Sequence, residues 1–502
     1  MTLIPDDLRN RIAAAFRRRP FGAAASGIVL VLVAVFAVAN FAQQPGPPVV
    51  DGDPSPAVMD GAAEAEGSSA AGDGGDVGAR SAMDLPPDEP APVRVLPELV
   101  PVSASERVAK PTHVRGLYLN AWAAGSTRKL AKLIDIANRT EVNTFVIDVK
   151  EGGEVSYRSS LPVVAEIGAD RRYIADIRGV LAKMKENGIY PVARIVVFKD
   201  AVAAKAKPEW AVVTEDGTIW KDHYGDTWVD SYNRDVWDYN IAIAREAVAL
   251  GFSEVQWDYV RFPDVPASYM RTAVWPARNG RSKADGIREF LLYSREQLAD
   301  LGVLVTADVF GLTVSARDDM GIGQLWEKMV DATDVLLPMI YPSHFARGSY
   351  GIAYPNGAPF EVITTSLGYG VRRSEGVANA ATIRPWLQDF TLGQPRYGPA
   401  HVRAQIDGVY DAGLTEWVLW NPGSNYTVDA LASADGVVPR FPALGEWVPP
   451  AQADESDGSE RRSRPDRRAE PPNDTSEAKT IWGMKVRPDT TKRDTTKRDG
   501  IW

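Results

Sequence analysis

The sequence predicts an α/β fold, a (β/α)8 barrel of the TIM-barrel type, across residues 108–448. Eight short runs of apolar and β-branched residues alternate there with longer segments of helical periodicity, the pattern of parallel strands joined by helices. Eight such units over this length suit a closed barrel with insertions. The turn after the first run, Asn-Ala-Trp-Ala-Ala-Gly at 120–125, lacks the phosphate-binding fingerprint of a doubly wound open sheet, the main structural alternative.

The elements of this barrel follow in chain order. Strands are predicted at 114–120, 144–150, 190–198, 254–262, 303–310, 334–341, 383–390 and 416–421. Helices are predicted at 127–139, 174–187, 235–250, 284–301 and 400–412. The segment at 359–373 is the weakest predicted helix, because Gly368 and Gly370 lower its helix propensity.

Period-two alternation separates the residues of each strand into an outward and an inward set. The polar members must point inward, because the outward face packs on helices. The predicted inward ring near the strand ends consists of Asn120, Asp148, Lys150, Arg194, Gln256, Asp258, Thr306, Asp308, Tyr341, Gln388 and Asn421. Barrel enzymes carry their chemistry at this rim.

Two carboxylates of this ring, Asp258 and Asp308, lie on adjacent predicted strands at the same level. Such a pair is what hydrolysis of a glycosidic bond requires. We expect Asp258 to act as the nucleophile or base and Asp308 as the general acid, whose pKa a poorly solvated pocket raises. The alternative for either residue is a purely structural pairing with a neighbouring Lys or Arg.

Other rim residues are candidates for substrate binding. Asp148 is expected to stay ionised beside Lys150 and Arg194, which suits it to orient a sugar hydroxyl. Aromatic rings can pack on the apolar faces of sugars, although tryptophans such as Trp210 and Trp275 are expected only to anchor long loops. His344 is either a substrate contact or a loop anchor. The predicted substrate-binding set is Asp148, Lys150, Arg194, Trp228, Arg261, Tyr341, His344, Gln388, Trp420 and Asn421.

Several function classes are disfavoured. The chain has no cysteine, and its four histidines show no paired ligand spacing, so neither a metal site nor another cofactor is expected. No Gly-x-Ser-x-Gly element is present, which argues against a serine hydrolase of that type. The net charge of −10 and the lack of a basic stripe argue against nucleic acid as a partner.

The two ends differ in composition from the barrel. A basic segment at 1–20 precedes an uncharged apolar segment at 21–42, which predicts a transmembrane anchor with the barrel on the outer side of the cell membrane. A cleaved signal peptide is the alternative, since Ala37, Val38 and Ala39 resemble a cleavage site. Residues 43–107 are expected to form a disordered linker, and residues 449–502 a disordered polar tail.

Within the barrel, several segments resemble the bacterial putative glycoside hydrolase domain family. They are 146–150, 256–263, 306–311, 337–344, 384–390 and 419–422. The Asp-Tyr-Val-Arg-Phe-Pro element at 258–263 is the most specific of them. The resemblance implies a (β/α) barrel with glycosidase activity.

Two functions remain open from the sequence. One is a hydrolase acting on an extracellular or cell-envelope polysaccharide or oligosaccharide. The other is a non-catalytic barrel that binds carbohydrate and uses its carboxylates only as hydrogen-bond acceptors. A carboxylate pair in which both members are bound in salt bridges would favour binding alone.

Overall fold

The computed structural model describes residues 99–445, Trp447, and the short segments 480–481 and 484–485. Thr480–Ile481 pairs antiparallel with Met484–Lys485, in a unit separate from the barrel. Among the described helices, none has both the length and the apolar composition needed to cross a bilayer. The predicted transmembrane segment at 21–42 lies outside the described residues.

Eight parallel strands close into a barrel. Each pairs with the next along the chain, and the last pairs with the first. The seventh strand consists of two short pieces on either side of Arg384 and Pro385, where the ring nitrogen of proline cannot donate a ladder hydrogen bond. The strands are β1 Arg115–Leu119, β2 Thr144–Glu151, β3 Tyr190–Val196, β4 Glu254–Asp258, β5 Leu304–Phe310, β6 Val335–Ile340, β7 Thr382–Ile383 with Trp386–Gln388, and β8 Trp417–Trp420. The predicted (β/α)8 barrel is confirmed.

Helices fill the connections on the outside of the barrel. The α-helices are α1 Ala121–Gly125, α2 Thr127–Arg139, α3 Pro162–Ile167, α4 Ile177–Glu186, α5 Ala201–Ala206, α6 Arg234–Leu250, α7 Ala267–Met270, α8 Lys283–Leu298, α9 Trp326–Met329, α10 Pro359–Ser374 and α11 Pro399–Asp411. Local capping sets several starts. Ser126, for example, accepts a hydrogen bond from the Lys129 backbone N–H at the start of α2.

Side chains sort onto two faces of the barrel wall as the alternation predicts. Phe145 and Ile147 of β2 belong to the large core between strands and helices. Val146, between them, belongs to a smaller apolar cluster with Tyr118 and Val192 from the neighbouring strands. This smaller cluster fills the barrel interior, and the polar residues of the rim lie above it.

The opposite end of the barrel interior holds a buried charge network. The Arg384 guanidinium is fully buried and pairs with Glu254 at 2.6 Å and Glu416 at 2.9 Å. Close by, residues 99–107, which the sequence analysis assigned to the linker, contact the ends of outer helices. The Val102 N–H donates to the Ala249 carbonyl, and Arg107 donates to the Leu301 carbonyl. This end is closed by ion pairs and by the chain that enters the domain.

Candidate active site at the carboxyl end of the barrel

The carboxyl ends of β2 to β5 bring four acidic side chains around one arginine. The strand register pairs Asp148 with Arg194 and Val196 with Asp258. On the next strand it pairs Trp257 with Ala307, so Asp258 and Asp308 occupy the same level of the barrel. Asp148, Arg194, Asp258 and Asp308 are all buried, and their charges therefore interact in a poorly solvated environment.

Arg194 holds three carboxylates at once. Its Nε and Nη2 donate to Oδ2 of Asp258 at 3.0 and 2.5 Å. Its Nη1 donates to Asp148 Oδ1 at 2.5 Å and to Glu151 Oε2 at 2.6 Å. A rigid guanidinium fork fixes the relative positions of the groups it binds. The side chain of Arg194 is only 3% exposed, so its contacts in this structure are with other protein groups, and its role in substrate binding stays a prediction.

The carboxylate of Asp258 is oriented from its other side by the backbone. The Tyr259 N–H donates to Oδ1 of Asp258 at 2.6 Å. Tyr259 has a φ of 49°, a left-handed conformation that is costly for a residue with a large side chain. The strand therefore ends on a strained residue directly after the carboxylate, and both oxygens of Asp258 have a defined donor.

Asp308 has different surroundings. Its oxygens accept hydrogen bonds from Trp386 Nε1 at 2.7 Å and from Gln256 Nε2 at 2.9 and 3.0 Å. Within the described part of the chain it forms no ion pair. Burial and the negative charge of Asp258 raise the pKa of Asp308 well above its usual value, against the smaller opposite effects of Arg194 and the two donors. The surroundings of Asp308 therefore favour its protonated form.

The protonation of Asp148 differs from the expectation. Tyr118 donates to its Oδ2 at 2.5 Å, and Arg194 binds its other oxygen. Burial nevertheless raises the pKa of Asp148 to about 7, with Glu151 adding to the effect and Arg194 opposing it. The prediction that basic neighbours keep this group fully ionised is wrong, because desolvation outweighs the attraction of one arginine.

The position of Lys150 differs from a second expectation. An irregularity in β2 interrupts the register between Asp148 and Lys150, and Lys150 turns outward to the helices. Its Nζ lies 2.6 Å from Asp200 and donates to Asn240 of α6. Because a bulge places two successive residues on one face, Lys150 is absent from the rim and Glu151 takes the inward position. The only sequence signal for this change is the glycine pair that follows, at 152–153.

Aromatic rings line the site beside Arg194. Tyr118 and Trp420 pack against each other, with ring centroids 4.0 Å apart and ring planes tilted by 35°. The Arg194 Cζ is 5.8 Å from the Trp420 centroid. Trp420 is only partly buried, whereas Trp386 and Tyr341 are buried. Trp420 lies at the rim, as its strand position predicts, and it is more exposed than Trp386 or Tyr341.

Two more predicted substrate contacts are buried in loop packing. Trp228 is 2% exposed and donates through Nε1 to Asp222. The Arg261 guanidinium is enclosed by the rings of Trp228, Tyr259 and Phe310. Their side chains stabilise the long loops after β3 and β4.

Three others hold the loops that follow β6 to β8. Gln388 accepts from the Ser343 N–H and donates to the Phe390 carbonyl. Asn421 accepts from the Gly423 and Asn425 N–H groups and donates to the Asp389 carbonyl. His344 contacts Ser343, and burial lowers the pKa of its ring to about 4, so the ring is neutral at pH 7. These contacts shape the rim.

The described residues contain no group of three or more His, Asp or Glu side chains arranged to hold a metal ion.

The comparison with known families agrees with this geometry. The family described as "Putative glycosyl hydrolase domain" matches residues 116–426. The chain belongs to this family. The match includes the whole rim, so Asp148, Glu151, Arg194, Asp258 and Asp308 all lie within the glycosyl hydrolase domain.

Solved structures were also compared. A hypothetical protein from Ruminiclostridium thermocellum is 41% identical over 41% of this chain and 98% of its own, with a TM-score of 0.36. The PgaB (BpsB) glycoside hydrolase domain from Bordetella bronchiseptica is 14% identical over 64% of this chain and 99% of its own, with a TM-score of 0.45. The α-galactosidase TtGalA from Thermus thermophilus is 13% identical over 63% of this chain and 60% of its own, with a TM-score of 0.41. No curated protein matches the chain.

Proposed function

We propose that this domain hydrolyses a glycosidic bond in a polysaccharide or oligosaccharide, with Asp258 and Asp308 as the reacting pair. The observation that carries the proposal is the unequal surroundings of two neighbouring carboxyl groups. Asp258 is paired with Arg194, whereas Asp308 contacts only neutral donors and the pKa of its carboxyl is raised. Neighbouring titratable groups with opposed environments are typical of an acid and its partner.

The reaction uses each group in one protonation state. Asp308 donates its proton to the glycosidic oxygen as the bond from that oxygen to the anomeric carbon breaks. Asp258, paired with Arg194, either attacks the anomeric carbon or takes a proton from a water molecule that attacks it. When Asp258 attacks, a water molecule then breaks the bond between Asp258 and the anomeric carbon and gives a proton back to Asp308. When Asp258 acts as the base, the attacking water supplies the hydroxyl directly. Each route consumes one water molecule and no other reactant.

The partners of the reaction follow from the rim and from the amino-terminal sequence. The partly exposed ring of Trp420 offers a stacking surface for a sugar. The apolar segment at 21–42, preceded by arginines, supports a location on the outer side of the cell membrane, by anchoring or after export. The substrate we propose is therefore an extracellular or cell-envelope glycan.

A second function is favoured by one specific observation. Asp308 is 1% exposed, and its two oxygens together accept three hydrogen bonds. A carboxyl group so fully engaged suits a barrel that binds carbohydrate without cleaving it. In that case the acidic cluster stabilises the rim, and a bound glycan is not cleaved.

Turnover by the full-length protein separates the two functions. The measurement is release of reducing ends from a panel of cell-envelope and extracellular glycans, by wild type and by the Asp258→Asn and Asp308→Asn variants. Hydrolysis predicts cleavage of a glycan and a loss of several orders of magnitude in both variants. The matched control is Asp216→Asn, in an exposed turn between Thr214 and Thr218, which should keep wild-type activity. Binding without cleavage by all four proteins would support the second function.

A further inference from the structure

We infer that Glu151 is a specificity-determining residue, which binds hydroxyl groups of an uncharged sugar ring lying on Trp420. The inference rests on the proposed function and names a contact and a substrate class for the same site. It starts from position, since the irregularity in β2 brings Glu151 to the inner face where alternation alone would place Lys150.

Exposure distinguishes Glu151 from the other carboxylates of the site. Its side chain is 30% exposed, compared with 3% for Asp148 and 9% for Asp258. Asp308 is more deeply buried still. Glu151 is therefore the acidic group of this cluster that a ligand in solvent reaches first.

The hydrogen bonds of Glu151 leave part of its carboxylate available. Oε2 accepts from Arg194 Nη1 at 2.6 Å, which fixes the side chain. Among the described residues no donor contacts Oε1. A carboxylate held by one oxygen presents the other, with its lone pairs, to donors such as sugar hydroxyls.

Trp420 supplies the second half of the contact. Arg194 binds Glu151 through Nη1 and lies 5.8 Å from the Trp420 ring centroid. The partly exposed Trp420 and the partly exposed carboxylate therefore both lie next to one guanidinium. A sugar whose apolar face packs on Trp420 directs its peripheral hydroxyls towards the surrounding wall, where Glu151 lies.

Charge then limits the class of sugar. Arg194 is the shared cation of Asp148, Glu151 and Asp258, and the carboxylates of Glu151 and Asp258 alone outnumber its single positive charge. A uronic acid or a sulfated sugar at this position would bring a further negative charge into a poorly solvated acidic cluster. The site therefore accepts an uncharged ring and rejects acidic ones.

Glu151→Gln tests the assignment, because it removes the charge and keeps the shape. We expect the KM for a cleaved neutral oligosaccharide to rise about 10- to 100-fold, the scale of a lost hydrogen bond to a charged group. The kcat and the pH profile should change little. Discrimination against a uronic-acid analogue of the same oligosaccharide should fall. Glu154→Gln, whose carboxylate pairs with Arg171 and Tyr173, is the matched control and should behave as wild type.

Other outcomes overturn the inference. An unchanged KM and unchanged discrimination would show that Glu151 does not contact the sugar. A loss of kcat with disappearance of one limb of the pH profile would make it an acid or base instead. If wild type cleaves none of a panel of neutral glucose, galactose and N-acetylglucosamine oligosaccharides, the proposed hydrolysis fails. Calorimetric binding of the same oligosaccharides to wild type and Glu151→Gln then still decides the role of Glu151.

Discussion

Burial and the neighbouring charges together favour the proton on Asp308. Asp258 faces the positive charge of Arg194 directly. Asp308 faces Asp258 and two neutral donors, and it is buried among them. In a poorly solvated site a neighbouring cation favours the ionised form, whereas a neighbouring anion favours the protonated form.

Gln256 provides a test of the proton on Asp308. Its Nε2 donates to both oxygens of Asp308, which favours the ionised carboxylate. In Gln256→Met these two hydrogen bonds are lost, so the pKa of Asp308 should rise further. A general acid with a higher pKa stays protonated to higher pH. The descending basic limb of the plot of kcat/KM against pH should therefore move to higher pH.

The measurement is the pH profile of kcat/KM for wild type and variant on the same substrate. Thr306→Val is the control, since Thr306 lies in the same barrel layer but bonds to the Val255 carbonyl, and its basic limb should stay in place. A basic limb that stays fixed or moves to lower pH in Gln256→Met would contradict the assignment of the proton to Asp308.

At the scale of single elements, β2 shows where prediction from alternation ends. Asp148, three residues before Glu151, was placed correctly because β2 is regular up to that point. Beyond that point the strand has one extra residue. Lys150, which alternation places inward, therefore points outward, and Glu151 points inward. A bulge depends on the partner strand and on the chain that follows, and neither appears in the hydrophobic pattern of β2 itself.

Helix α10 shows the opposite case, in which packing overrides propensity. The sequence marked this segment as the weakest helix, yet it is continuous over Pro359–Ser374. Gly370 faces Trp326 and Ile383, where an added Cβ would lie 3.3 to 3.4 Å from their side chains. A small residue allows the helix to pack closely here, and the contacts compensate for its low propensity.

Gly368 in the same helix has no such role. An added Cβ there would meet only the flexible end of Arg372, at 3.3 Å. We expect Gly368→Ala to raise the free energy of unfolding by about 0.5 to 1 kcal/mol, through helix propensity alone. Denaturant unfolding of wild type and variant measures this change in the free energy of unfolding. Gly370→Ala is the comparison and should gain less or lose stability, so equal gains in both variants would contradict the packing account.

At the scale of the whole molecule, the barrel could be predicted because its signal is repeated. Eight strand patterns with helices between them leave few other folds, and Asp258, Arg194 and Asp308 followed from strand position. The roles of the loop residues Trp228 and Arg261 could not be predicted in this way, because the same aromatic and cationic side chains can bind a ligand or anchor a loop. Only their burial in the folded domain distinguishes the two roles.

The anchor, the linker and the tail stay predictions from composition, since residues 21–42 and most of 43–107 and 449–502 lie outside the described residues. The central claim concerns the barrel, and it requires Asp258 and Asp308 to perform different steps. The two roles can be separated by the leaving group. A dinitrophenyl group departs without protonation, whereas a sugar alcohol needs a general acid.

The most direct measurement is therefore kcat/KM for wild type, Asp258→Asn and Asp308→Asn on two glycosides of the cleaved sugar, one with each leaving group. The account predicts that Asp308→Asn loses about 10²- to 10⁴-fold with the sugar alcohol and retains most activity with dinitrophenyl. Asp258→Asn should lose activity with both. Equal losses for Asp308→Asn on the two substrates, or full activity in Asp258→Asn, would contradict it.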